Sequence, residues 1–559
     1  MLNCPKCNKQ FTDETKFCDV CGCEVVQLNK SIANIPFIDN ALKVVSAVPK
    51  KFLFIGATAL AFVLVLAIII SSLSPVTVPN AFAYVKDGEL NFSTVSKAKG
   101  EVVYDEDAAY YTSTVQISEN GKRLFYIDED GDLLCANPSS LTKEAKKVAN
   151  SVDTYYAIGD GETVIFTNDK SKLYSVKVGK DPVNIDKDVE DFIPSEDGKK
   201  IIYSKSSDGE DGSDWYITKN ASKAQKGDKL ATGASLEYVS KDFSKFVYTK
   251  NKSLYSLTLG KEEYRIAKDV GDFIKVYDSG EIYFTCVEES NNDEDGYFSY
   301  SSNKLSLWYY AGNKKESVQI SKEYNGYSDY ATDCSTIVFY SRNDDYEYSY
   351  SLAAKDATYE IGTSEQYTSY RLSDDGKQVL YLKERGEDED YPDAGVLCKA
   401  TVSKGLKNEK VIDKNVSQFG YNADKVFYIK DYDEEDEEGS LYFDGKLVSS
   451  EAYDGYFKYI EETNVVIYKT DYDDSTDMCT FNFAKNGKTI ASQEDVSDHV
   501  ITNEGEVLMI VDAADYEGDL YLFKGNKKIK QIDTDVSNVF VPLCFTAIYA
   551  EIEGDGIIY

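Results

Sequence analysis

From about residue 76 onward the chain repeats one pattern of polar and apolar positions: a polar turn, an alternating β-branched and aromatic run, a loop, then a second short run opening with Leu-Tyr or similar. Ser195-Glu196-Asp197-Gly198-Lys199-Lys200-Ile201-Ile202-Tyr203 is the clearest copy. Ser373 to Tyr381 and Ser118 to Tyr126 match it closely. Weaker copies surround Val164, Phe246, Ile282, Val338, Val426, Val466 and Val507, and copies at Phe82-Ala83-Tyr84 and Ala547-Ile548-Tyr549 open and close the series. That makes twelve, spaced ~42 residues apart, and a period of that length built from short strands predicts propeller blades. Asp-Gly and Asn-Gly supply the positive-φ residues that tight hairpins need. Partner runs such as Leu173-Tyr174, Trp215-Tyr216 and Leu520-Tyr521, each followed by another turn and short strand, predict four strands per unit. No stretch of this region shows a convincing amphipathic helix. Radial packing explains why none is needed, because each blade covers its neighbour.

The Ser-x-Asp-Gly-Lys-x-hydrophobic-x-aromatic phrase resembles the blade motif of TolB-type, WD40-like β-propellers. The resemblance covers most of residues 80–559, and it speaks to fold rather than ligand. Twelve blades exceed what one ring usually holds, so it implies tandem propellers, the first over 76–325 and the second over 326–559, with a junction near 315–335. A single larger ring with irregular insertions is the alternative.

A different pattern precedes the repeats. Phe52 to Ile70 contains no charge and, at about 1.5 Å per residue, is long enough to cross a bilayer as a helix. A transmembrane helix is therefore expected over 52–73. Lys43, Lys50 and Lys51 lie just before it, whereas the fifteen residues after Leu73 offer only Lys86. That bias places the N-terminus in the cytoplasm and the C-terminal bulk outside the cell membrane. Ala81-Phe82-Ala83 looks like a signal-peptidase box, but it lies beyond the apolar run and behind too long an N-terminal region. The span thus reads as an uncleaved, single-pass anchor.

Cys4-x-x-Cys7 and Cys18-x-x-Cys21 face each other across ten residues. Thiolates at this spacing can close a tetrahedral zinc site, and structural zinc supplies folding energy that residues 1–26 cannot draw from a core. With Phe17 before the second pair and Gly22 after it, the segment is similar to the short zinc ribbons that begin many bacterial membrane proteins. Cys23 departs from that pattern. Residues 27–51 form a juxtamembrane linker.

Charge divides across the expected membrane. Residues 1–51 carry seven Lys/Arg against five Asp/Glu, which leaves −38 on the remainder of a chain with formal charge −36. A surface that acidic repels nucleic acid and attracts divalent cations or cationic partners. Its acids recur at one place in the repeat, between the second and third strands: 128–132, 208–211, 293–295, 387–390, 431–438, 471–477 and 512–519. In an up-and-down meander such loops emerge on the same face. Asp128-x-Asp130-x-Asp132 also has spacing suited to calcium, which takes several carboxylate oxygens from a short loop. The plainer reading is that acidic hairpin tips keep a large surface protein soluble.

Forty-five Tyr and two Trp are mostly strand formers within the repeat, with Tyr346, Tyr348, Tyr350, Tyr432 and Tyr472 the better ligand candidates. Cys135, Cys286, Cys334, Cys398, Cys479 and Cys544 are scattered, as buried free thiols are. A Ser-His-Asp arrangement would have to rest on the single histidine, His499, and no Gly-x-Ser-x-Gly elbow, phosphate loop or His-Glu-x-x-His helix is present. The expected protein is therefore not an enzyme. It is a membrane-anchored surface protein whose acidic extracellular propellers bind a protein, peptide or wall polymer, while the zinc ribbon meets a cytosolic protein. The competing class is an envelope-anchored carbohydrate-active enzyme working through carboxylates.

Overall fold

The computed structural model describes residues 81–542, omitting stretches near 105–113, 138–144, 208–211, 290–303 and 385–393 and several of one to three residues, together with three short strands near the N-terminus. The chain divides into two compact units, Met1–Val76 and Thr77–Tyr559. In the first, Leu2–Asn3 pairs antiparallel with both Gln10–Phe11 and Val26–Gln27. The four expected zinc cysteines and the apolar run 52–73 lie outside the described residues.

The second unit is all-β, and every strand pair in it is antiparallel. Blade 3 shows the plan, with strands A to D at Val152–Ile158, Thr163–Asn168, Leu173–Lys177 and Val183–Asp186 in sequential order. Four long strands serve two blades each, ending one as strand D and opening the next as strand A: Asp228–Val239, Leu406–Asn422, Thr489–Ile501 and Ile529–Phe540. Counted this way, the described strands make eleven propeller-like blades. The twelfth expected copy, at 547–549, lies outside the described residues.

Blade 1 is assembled from both ends of the unit. Its strands B to D are Ala81–Lys86, Glu89–Thr94 and Glu101–Tyr104, and its strand A is the second half of Ile529–Phe540, with Ala83 opposite Phe540. Ala81, Phe82 and Ala83, the residues resembling a peptidase box, are fully buried in this strand.

Strand B reads as a nearly continuous apolar run because both of its faces are covered by neighbouring blades. Ile201, Ile202 and Tyr203 are all fully buried. Shared cores join successive blades from first to last, and one of them joins blade 11 to blade 1 through Phe82, Tyr84, Leu508, Ile510 and Leu520. The period of about 42 residues appears directly as hydrogen bonds between the same elements of successive blades, Lys200 to the Asp242 carbonyl at 2.9 Å and Tyr370 N–H to Ser328 Oγ at 2.7 Å.

The expected pair of propellers is corrected by this packing. A boundary at 325/326 falls between blades 6 and 7, where Tyr283, Leu307 and Tyr309 share one core with Ile337, Phe339 and Ala353. The blades follow one another in a single closed cycle. Sequence periodicity counts repeats but does not say where a ring closes, because the closing pair is about 450 residues apart in the chain.

Candidate ligand-binding face

Antiparallel succession puts the A–B and C–D connections on one side of the ring and the B–C and D–A connections on the other. The Ser-x-Asp-Gly-Lys phrase forms the A–B turns, where its polar residues hold the turn itself. Ser195 Oγ donates to Asp197 at 2.9 Å, Asp197 accepts the Lys199 amide at 3.0 Å and pairs with its amine at 2.8 Å, and the Lys200 amide donates to Ser195 Oγ. Ser373, Asp375 and Lys377 repeat the arrangement.

The acidic loops lie on the opposite side. In blades 9, 10 and 11 they share one design. Strand B overshoots into a bulge at Lys430/Asp433, Thr470/Asp473 and Val511/Ala514. Each bulge turns on an aspartate with positive φ: Asp431 at 52°, Asp471 at 52° and Asp512 at 56°. Aspartate is among the few residues that tolerate this conformation. The tips are exposed, and the partners of several carboxylates are neutral. Thr470 donates to Asp471, Ser475 to Asp473, Tyr472 to Asp477 at 2.7 Å, and Gln531 to Asp519. The Ser475 hydroxyl and amide hold the Asp473 carboxyl below its usual range. Adjacent loops meet, for the Asp471 amide donates to Glu438 at 3.3 Å.

The Asp128, Asp130 and Asp132 loop is on this side as well. Asp128 accepts the amides of Asp130 at 3.1 Å and Asp132 at 2.8 Å, which caps its own turn. Asp132 is buried and bonded to the Lys147 amine and the Ser151 amide. Among the described residues no group of three or more His, Cys, Asp or Glu is disposed to hold a metal ion.

Just beneath the blade 10 loop, the chain's one histidine closes an aromatic cluster. Tyr456 OH lies 2.8 Å from His499 Nε2, and the Phe481 ring stands 4.7 Å from the imidazole. The Lys469 amine sits 5.2 Å from the Tyr456 ring centre and 5.5 Å from that of Phe481. Burial pulls His499 down to about 4, so it is neutral at physiological pH. Cys479, in the same core, is buried, and burial pushes its thiol up. Cys135, Cys286 and Cys398 are likewise buried and free, whereas Cys334 and Cys544 lie outside the described residues.

Two tyrosine expectations change. Tyr350 belongs to a strand and is 1 % exposed, with its hydroxyl accepting the Thr368 amide. Tyr472 lies on Tyr453, with ring centres 4.6 Å apart. Both are framework before they are ligand contacts.

A recurrent device escaped the sequence reading. Tyr203 and Lys205, two apart on strand B, both bond Asp186 of the preceding blade's strand D, at 2.8 and 2.7 Å. Tyr428 and Lys430 hold Asp413 in the same way, and Tyr84 and Lys86 hold Asp533 across the ring closure. Burial pushes Asp186 up, but bonds from Lys205, the Lys187 amide and Tyr203 outweigh it and leave the carboxyl below its ordinary range. Tyr-x-Lys preceded by Asp-x-Asp/Asn is the signal that would have revealed it.

No family model matches this sequence, and no curated protein matches it. Among solved structures it is similar to a eukaryotic initiation factor, at 10 % identity over 83 % of this chain and 98 % of that one, with a TM-score of 0.39. It is also similar to dipeptidyl peptidase 4 of Porphyromonas gingivalis, at 10 % identity over 72 % and 65 % of the chains, TM-score 0.35. A third is acylaminoacyl peptidase of Pyrococcus horikoshii, at 14 % identity over 62 % and 52 %, TM-score 0.27. The expectation that the chain is not an enzyme is corrected here. Two of these three solved structures are peptidases. Likeness at this level assigns neither an activity nor a ligand to this chain.

Proposed function

We propose that the chain is a single-pass surface protein whose propeller-like ring takes a cationic ligand on its acidic face, a basic peptide or protein segment before all. The observation that carries this reading is the pair of bulged loops in blades 10 and 11, where the carboxylates of Asp471, Asp473, Asp477 and Asp519 meet hydroxyls and a side-chain amide. Carboxylates gathered on one face raise the local concentration of cations and steer their approach. The apolar run over 52–73 supports a bilayer anchor, and Cys4, Cys7, Cys18 and Cys21 support a zinc-bound cytosolic knob that meets a partner inside.

The test is titration of the full chain in detergent with oligolysine, read by calorimetry. Replacing Asp471, Asp473 and Asp477 by Asn should weaken binding about tenfold and flatten its salt dependence. Equal affinity in the variant, or affinity indifferent to salt, would sink the reading. Calcium in place of oligolysine separates a divalent-cation site from a peptide site through its own stabilisation of the fold.

A further inference from the structure

The seam between blades 8 and 9 holds an amine that the fold does not use, that of Lys399. Lys399 lies on strand C of blade 8, Gly395–Val402, directly opposite Leu380 of strand B. Residues opposite one another in an antiparallel pair project to the same face. On that face Leu380 packs with Leu397, Val416 and Phe419 in the core that joins the two blades. Lys399 is half-buried as a result. Among the described residues its amine makes no hydrogen bond and no ion pair, and it stands 5.4 Å from the ring centre of Tyr421 on strand A of blade 9. The Tyr421 hydroxyl is buried and likewise has no hydrogen-bond partner among the described residues. Buried polar groups are nearly always paired, so an amine and a phenol left over in one seam are groups not spent on stability.

Burial lowers the Lys399 amine below its ordinary value, against the pull of Asp444 and Asp424. The other described lysines whose values move, Lys86, Lys147, Lys229, Lys377, Lys383 and Lys430, each bond a carboxylate and go up. Only the neutral form of an amine carries the lone pair that attacks a carbonyl carbon, and desolvation is one way to favour that form. Three carboxylates set the field around the seam. Asp444 and Asp424 act on the amine, and Asp424 and Asp375 on the phenol. A field of that sign repels an anionic reagent and leaves an uncharged one free to enter.

We propose that Lys399 captures small uncharged aldehydes as an imine. The Nζ lone pair bonds the carbonyl carbon, the C=O π pair moves to the oxygen, and that oxygen leaves as water with the two amine hydrogens. The step consumes no oxidant or reductant. The apolar wall of Leu380 and Leu397 favours an uncharged imine over a charged ammonium, by the same desolvation that lowers Lys399. The site is separate from the acidic loops, and it stands whether or not those loops take a cation.

The full chain in detergent is treated with limiting propionaldehyde and cyanoborohydride, which reduces each imine to a stable secondary amine. Peptide mass spectrometry then reads the labelling lysine by lysine. At pH 7 Lys399 should be alkylated about threefold faster than the exposed Lys180, Lys223 and Lys404. The advantage should disappear near about pH 11, where all these amines are largely neutral. Glyoxylate, an anionic aldehyde, should show no preference for Lys399 in the parent and should gain about threefold there in Asp424→Asn. Asparagine keeps the left-handed turn that Asp424 occupies at φ 59°. Lys399 labelled no faster than the exposed lysines at pH 7 overturns the proposal. A preference that persists at pH 11 also overturns it, because it reports access rather than a free lone pair. Glyoxylate and propionaldehyde reacting alike at Lys399 overturn the selection for uncharged aldehydes.

Discussion

At the scale of single residues, His499 is the group whose protonation the fold most clearly opposes. Burial against Phe481 and Tyr456 lowers it to about 4, while an unfolded chain holds the ordinary value near 6.5. The unfolded state therefore binds the extra proton first. The stability contributed by the neutral ring is complete above about pH 6.5 and is lost as pH falls toward 4, amounting to about 3 kcal/mol at the acid end. Urea midpoints measured at pH 7 and pH 4.5 should differ by more in the parent than in His499→Gln, which cannot titrate. A parallel pH dependence in the two proteins would mean that the ring is solvated. The clamps act in the same direction at lower pH. Asp186, Asp413 and Asp533 are all held below the carboxylate range, so their contribution is present above about pH 4 and fades as they protonate.

At the scale of the element, turn chemistry decides which glycines matter. Gly376 closes an A–B turn at φ 62°, and an added Cβ would come 2.3 Å from Ser335 Oγ and 2.8 Å from Thr336 Oγ1 of blade 7. Gly445 has φ 72° but meets nothing within 4 Å. Gly445→Ala should cost about 1 kcal/mol for the left-handed backbone alone, and Gly376→Ala at least twice that, because the blade contact must also yield. Chemical denaturation of the two variants side by side measures the difference, and equal losses would show that the turn moves freely against blade 7. The same turn shows what could be read in advance. Its residues bond one another within five positions, so Ser373 to Gln378 announces itself in a single phrase. Asp186 and Tyr203 sit in different blades, and the pairing depends on how those blades stack, which no local pattern states. For the same reason the aspartate triplet at 128–132 suggested a cation loop, whereas Lys147, two strands away from that loop's start, already bonds Asp132. The strand phrases were legible because a strand covered on both faces must be apolar throughout, and the ring closure was not, because Ala83 and Phe540 meet only in the finished fold.

At the scale of the whole ring, one closed cycle and two tandem rings make opposite demands on a half-length chain. Residues 77–325 span the first expected propeller, but blade 1 would lack strand A, which comes from Ile529–Phe540. Tyr84 and Lys86 would lose Asp533, and with it the clamp that joins the two ends of the cycle. At the other end Tyr283, Leu307 and Tyr309 would lose Ile337 and Phe339, exposing the whole face of blade 6. A repeat array tolerates truncation only when its terminal units have a polar outer face, and neither end here has one. Sheet edges and large apolar faces left open favour association with other copies. Residues 77–325 expressed alone should therefore aggregate or elute as oligomers, and should unfold over a broad denaturant range rather than a sharp one. Residues 77–542 should elute as one species with a single steep transition. A monomeric half with its own sharp unfolding step would restore two rings and remove the closure through Ile529–Phe540, because a self-sufficient blade 1 has no need of a strand from the far end of the chain.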